Sequence, residues 1–574
     1  MALCLAAAVA GPLLAQGRGG TPQSRALLEA ATLESNGDLD GAEASLRRVL
    51  EMEPTSTGAV FALERVLRAK GEIGELRSVV DAFLEGSADV EVRALKLELL
   101  ADTDSVRQMT AEAEAWIESD PQEAVFSAVA GVYQQTLGTD EALDVLRRGR
   151  ARLGGNALAL QTGDVLASSG DLDGAATEWA GSVRDDGSGM EAVRARLERL
   201  EVGRRDAALR VVEIIGESTV PERRRATLRL AIEMGLEEEA LELAEHHADA
   251  LGGRARATFL NEIGVLARES GMGAVAAWAY GELGDEAGSP EERRQFAQRV
   301  VEISLQVGDT AAALDAQRRI VASYEGRSDE WRSALAETIK LEATAEPARA
   351  TESWTSFRSE FPRAPELDGV AAALSASLQG RGDLEGAARV LEGVEGPRSG
   401  IERAYLMLGT GDVEGARSLL LRSVSGLAPA EATPVIQLAS LLGRLSEPAR
   451  RALAEAGVMA HRGEAAAASD ALAEAAADLG GADAAPLLGE AARLAERAGS
   501  PDEAAAIRRT LVQEHPEAPE VAEATLALAR HAARSGRDDE EAIRLLEDLI
   551  TERPNAAVVP EARLELERLR NRGS

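Results

Sequence analysis

The chain has 574 residues, with 98 acidic and 63 basic side chains and a formal net charge of −35. A polyanion of that strength repels nucleic-acid phosphate and anionic lipid, so neither is an expected partner. Aromatic residues make up only 3%, and the abundant Ala, Leu, Glu and Arg are strong helix formers, so an almost entirely α fold is expected.

In chain order, Met1–Leu14 is uncharged, apolar and small, and Ala15-Gln16-Gly17 leads into a polar stretch that ends at Ser24. That order reads as a secretory signal peptide over residues 1–16, without the usual basic start, followed by a polar linker over 17–24. The expected location is periplasmic or cell-envelope, or cytoplasmic if the segment is not a signal peptide. Cys4 is the one cysteine, so no disulfide within the chain and no cysteine metal site is expected. No later stretch reaches about 18 uninterrupted apolar residues, so no transmembrane span is expected.

From residue 25 onward a Gly-x₄-Ala beat sets the organisation. It reads Asn36-Gly37-Asp38-Leu39-Asp40-Gly41-Ala42 and returns at Gly170-Ala175, Gly382-Ala387 and Gly411-Ala416. In the first unit Ala26–Ser35 reads as a helix that Gly37 ends in the left-handed conformation. Asp40 is the expected N-cap of the next helix. Ala42, Leu46 and Val49 then fall on one face, and Pro54 closes the unit. The alanine position steps through Ala42, Leu76, Met109, Ala142, Ala175, Ala208 and Ala240 at intervals of 34, 33, 33, 33, 33 and 32 residues, and continues through Ala276, Ala313, Ala350 and Ala387. A fixed period of this size marks a solenoid of stacked helical hairpins.

These spacings resemble the tetratricopeptide repeat (TPR) family, in a divergent form similar to units of bacterial envelope proteins. The family roles fall on Gly37, Ala42, Leu46, Val49 and Pro54, and recur on Gly170, Ala175 and Trp179, on Ala350, Trp354, Phe357 and Pro362, and on Ala542, Leu546, Leu549 and Pro554. The resemblance implies an all-α fold, a right-handed superhelical α-solenoid of about 14 helix-turn-helix repeats. The expected division is a first solenoid over 25–425, an irregular helix and soft boundary over 426–446, and a second solenoid over 447–574 ending in a capping helix. An odd helix at 432–444 is expected to reverse or kink the stack.

Chemistry-bearing motifs are sparse. Glu245-His246-His247-Ala248-Asp249 is the one histidine cluster. Adjacent helical residues point about 100° apart, so it reads as a solvated helix end rather than a metal site. Arg381-Gly382-Asp383 falls on a repeat turn. No phosphate loop or nucleophile elbow interrupts the beat, so neither catalysis nor a cofactor is expected. The expected function is a non-catalytic scaffold or adaptor for one or more proteins or peptides in the cell envelope. The alternative is a structural component of polysaccharide secretion or cell-wall handling that contacts glycan through exposed Trp residues. The family analogy places a ligand surface on the inner faces of the first helices, where Arg225, Arg229, Asn261, Arg268 and Gln298 could hold a carboxylate.

Overall fold

The computed structural model describes residues 22–103, 105–534 and 539–572. The expected signal peptide and Cys4 lie outside the described residues. Every regular element among the described residues is an α-helix. The described residues divide into two compact units, with the division between Val275 and Ala276.

The first unit contains the pairs α1 (Pro22–Ser35) and α2 (Leu39–Met52), α3 (Thr57–Lys70) and α4 (Ile73–Gly86), and α5 (Val90–Asp102) and α6 (Val106–Ser119). It continues with α7 (Glu123–Thr136) and α8 (Thr139–Leu153), α9 (Ala159–Ser169) and α10 (Leu172–Ser182), and α11 (Met190–Glu198) and α12 (Arg204–Gly216). Then come α13 (Pro221–Glu233), α14 (Glu237–Asp249) and α15 (Gly253–Glu269), and α16 (Gly273–Glu286) straddles the division.

The second unit pairs α17 (Pro290–Gln306) with α18 (Thr310–Ala322), α19 (Asp329–Ala345) with α20 (Pro347–Glu360), α21 (Leu367–Gly380) with α22 (Leu384–Leu391), and α23 (Pro397–Gly409) with α24 (Val413–Ser423). After the single helix α25 (Pro429–Arg444) it pairs α26 (Glu447–His461) with α27 (Ala465–Leu479), α28 (Gly481–Arg497) with α29 (Pro501–Glu514), and α30 (Val521–Arg534) with α31 (Asp539–Glu552). The final helix α32 (Val559–Arg572) packs on α31.

Two local rules build each hairpin. Gly37 sits at φ 79° and Gly170 at φ 91°, a left-handed turn that carries a Cβ only under strain. The alanine position then lies where the two helices cross. Ala42, Leu76, Met109, Ala142, Ala175, Ala208, Ala240, Ala276, Ala313, Ala350 and Ala387 all have zero exposure. Leu76 and Met109 fill this place in two units, and where it is alanine a much larger side chain must displace its close-packed neighbours.

The N-cap differs from the expectation. Asp38, not Asp40, caps α2, and its carboxylate accepts a hydrogen bond from Gly41 N at 2.9 Å. The glycine turn delivers the chain to helical geometry by Leu39, so Asp38 is the last residue outside the helix. Asp40 falls within the first turn and pairs with Lys70 at 2.8 Å. The same cap recurs at Asp171, Asp309, Asp383 and Asp412. Asp171→Ala is expected to cost about 1 kcal/mol, read as a lower midpoint in thermal unfolding, while Asp173→Ala changes it little.

The irregular helix is α25, which begins at Pro429 rather than Ala432 because proline suits the first helical position. α26 packs against α23 as well as against α25, so the first helix before the insertion and the first helix after it touch. One core cluster runs through this region, with Leu408, Leu420, Leu442, Leu453 and Leu472 all buried together.

Candidate interaction surface

Neighbouring units are laced by ion pairs one repeat apart. Arg65 meets Glu34 at 3.1 Å, Arg68 meets Asp102 at 2.7 Å, Arg148 meets Glu114 at 2.6 Å and Arg196 meets Asp164 at 2.6 Å. In the second unit Arg332 meets Glu366 at 3.1 Å, Arg398 meets Glu431 at 2.9 Å and Arg530 meets Glu565 at 3.2 Å. A near-34-residue period sets equivalent faces side by side, so these partners meet. Each exposed pair is worth little on its own. Their consequence is electrostatic, since they occupy cations that would otherwise be free for a ligand.

The five expected ligand residues are all exposed. Arg225 and Arg229 share α13, and Asn261 and Arg268 share α15. Gln298 lies on α17 in the second unit. Arg225 pairs across to Glu262 on α15, and Arg229 lies 3.7 Å from Glu233 on its own helix. Gln298 donates to Glu302 at 3.3 Å. Three of the five polar groups thus meet acids of this chain.

The histidine cluster also departs from expectation. His246 is exposed, but His247 is only 6% exposed. Its ring packs on Phe259 with centroids 4.7 Å apart. Burial pushes its pKa below 6.5, with Arg224 and Arg225 adding to the shift. The folded unit therefore holds fewer protons than the unfolded chain near that value, and stability is lost as the pH falls below about 6.5. His247→Leu is expected to flatten this pH dependence in thermal unfolding of the first unit.

The tryptophans do not form an aromatic platform. Trp116, Trp179 and Trp354 are buried, and Trp278 and Trp331 are half-buried. Arginines lie over Trp116, Trp331 and Trp354, at 5.2, 5.4 and 5.9 Å from the rings.

A buried polar arrangement lies on the first helices of the second unit, at residues that the repeat pattern does not single out. On α23, Glu402 is 7% exposed and its Oε2 accepts from Gln379 Nε2 on α21 at 2.8 Å. His461 Nε2 on α26 meets the same oxygen at 2.9 Å. Tyr405, one turn along α23, stacks on the His461 ring with centroids 3.8 Å apart and planes 5° from parallel. Burial, helped by the Glu402 charge, pushes the Tyr405 phenol up to about 12, so it stays protonated at neutral pH.

A cavity of about 430 Å³ opens beside this network. Ala372, Ala373 and Ala376 on α21 form one wall, Ile401 and Leu427 another, and Glu402, Lys340, Arg398 and Glu431 supply charge. Three alanines on one face leave the groove its width. Lys340 is held by Glu337 at 2.6 Å and Arg398 by Glu431.

A larger cavity, about 710 Å³, lies at Trp354, Arg358 and Arg389 on α20 and α22. Three of its polar side chains already bond to the backbone. Thr351 donates to Pro347 O at 3.0 Å, Thr355 to Thr351 O at 2.9 Å and Arg358 to Glu392 O at 2.6 Å. Among the described residues no group of three or more His, Cys, Asp or Glu side chains could hold a metal ion, and no helix is long and apolar enough to cross a membrane.

No family model matches the chain, and no curated protein matches it. Among solved structures it is similar to a chain of the APC/C hetero-tetramer Cut9-Hcn1, at 11% identity over 96% of each chain with a TM-score of 0.21. It is also similar to a chain of the Naa15/Naa10 structure bound to HypK-THB, at 12% identity over 95% of this chain and 91% of that one, again with a TM-score of 0.21. The left-handed glycine turns, the closed alanine crossings and the serial antiparallel hairpins together make the fold a TPR-like helical repeat.

Proposed function

We propose that the chain is a non-catalytic scaffold that binds segments of protein partners along the first helices of its second unit. The observation that carries this reading is the cavity on α21 and α23, which combines small apolar walls with a buried, hydrogen-bonded carboxylate. Apolar walls with a few placed polar groups are the composition of a recognition site. The polar network around Glu402 fixes the carboxylate without a nucleophile and base in attacking geometry, which suits holding a ligand rather than transforming it. A right-handed superhelix and a cell-envelope location belong to the same proposal, the latter supported by the apolar Met1–Leu14 segment.

Selection of displayed random peptides on the full chain tests the binding reading. The expected result is an enriched peptide family whose binding Ala376→Phe abolishes without changing the helix content. Failure to enrich any family, or binding that Ala376→Phe leaves intact, contradicts it. Mass spectrometry of the chain from its native cells tests the location. A start near Gly17 supports export, and retention of Met1–Gln16 contradicts a cleaved signal peptide.

A further inference from the structure

We infer that the cavity on α21 and α23 seats one lysine side chain of an extended partner segment, with Glu402 Oε1 accepting from its ammonium. This rests on the peptide-binding reading and names the residue class that reading leaves open. Both hydrogen bonds to Glu402 fall on Oε2. A carboxylate has acceptor capacity on both oxygens, and Oε1 accepts no hydrogen bond from a described residue. Glu402 lines the cavity and is 7% exposed as a residue, so a largely buried carboxylate borders an opening.

The other charges of the lining are matched. Lys340 has Glu337 at 2.6 Å, and Arg398 has Glu431 at 2.9 Å. Glu402 has an amide and an imidazole. A buried carboxylate gains most from a cation that can reach it. The alanine wall and Ile401 suit the methylene stem of a long side chain whose charged head goes deeper.

The geometry favours lysine over arginine. A guanidinium makes its strongest contact through two parallel bonds to both carboxylate oxygens. Here Oε2 already accepts from Gln379 and meets His461, so one oxygen remains. A compact ammonium needs only one. An acidic side chain would meet Glu402 as a like charge.

The test uses the full chain and four blocked peptide libraries that differ at one fixed central residue: lysine, arginine, Nε-acetyl-lysine or glutamate. Binding is read by fluorescence polarisation. The lysine set is expected to bind roughly tenfold more tightly than the acetyl-lysine set and severalfold more tightly than the arginine set. Glu402→Gln is expected to erase the difference between lysine and acetyl-lysine. Ala373→Leu narrows the same cavity without touching the network, and is expected to weaken the lysine set most, which keeps the test decisive if Glu402→Gln does not fold. Equal binding of lysine and acetyl-lysine, or a preference for arginine or glutamate, overturns the lysine seat while leaving peptide binding in place. Absence of binding by all four sets overturns both.

Discussion

Trp179→Ala lowers the stability of the first unit by about 3–5 kcal/mol, the range for removing a large buried aromatic side chain. Trp179 is 2% exposed and stands where the first repeat has Leu46. The larger ring fits because Gly163 faces it from α9, where a Cβ would collide with the indole and come within 3.0 Å of Ala175 O. The indole Nε1 donates to Asp164 Oδ1 at 3.1 Å, and Arg196 binds the same carboxylate at 2.6 Å. Ring, glycine and ion pair form one device that joins α9, α10 and α11. Gly163→Leu alone is expected to destabilise by overpacking. In the Trp179→Ala background the added leucine enters the vacated space, so the two effects are not additive. Urea unfolding of the four proteins in the cycle measures this. Additive losses would show that Gly163 and Trp179 do not share a packing site.

Ala208→Trp is expected to have the second large effect, a loss of about 1–3 kcal/mol or more. Ala208 on α12 has zero exposure. An indole there must push neighbouring helices apart or turn out of the core. Ala42→Trp on α2 repeats the experiment at an equivalent position that is also fully closed. Ala151→Trp on α8 is the control, since Ala151 is exposed and surface substitutions stay within about 0.5 kcal/mol. Repeat arrays couple mainly to their nearest neighbours. Hydrogen exchange is therefore expected to show the loss in the altered hairpin and those flanking it. An unchanged midpoint for both core variants would mean that the alanine beat does not mark the crossings.

The parts of the fold that were legible in the sequence are those set by local constraints. A left-handed turn selects glycine at Gly37 and Gly170, and a close helix crossing favours alanine at Ala42 and Ala175, although Leu76 and Met109 hold the same place in two other units. Asp38 and Asp40 both suit capping by residue type. Only the turn geometry, which starts α2 at Leu39, decides between them. The burial of His247 depends on Phe259 on the next helix, and a pattern read along α14 alone does not contain it.

The proposed ligand surface was less legible, for two separate reasons. The cations of the middle repeats stand out as residues, yet Arg225 is met by Glu262, 37 positions later. Searching for an acid about one repeat away would have revealed the ladder. The Glu402 network has no such signal. Glu402 and His461 are 59 residues apart, which is no multiple of the repeat period. The inserted α25 shifts the register, and their approach follows from α26 packing on α23 across it. Gln379, a further 23 residues before Glu402, looks like an ordinary polar helix residue until both partners are in place.

Hydrogen–deuterium exchange of the full chain, with and without a peptide selected for binding, measures where a partner is held. Binding at the first helices of the second unit predicts slowed exchange in α21 and α23, extending to α26 through the Glu402–His461 contact. Slowing confined to residues 22–275, or to α20 and α22 around the larger cavity, would contradict it.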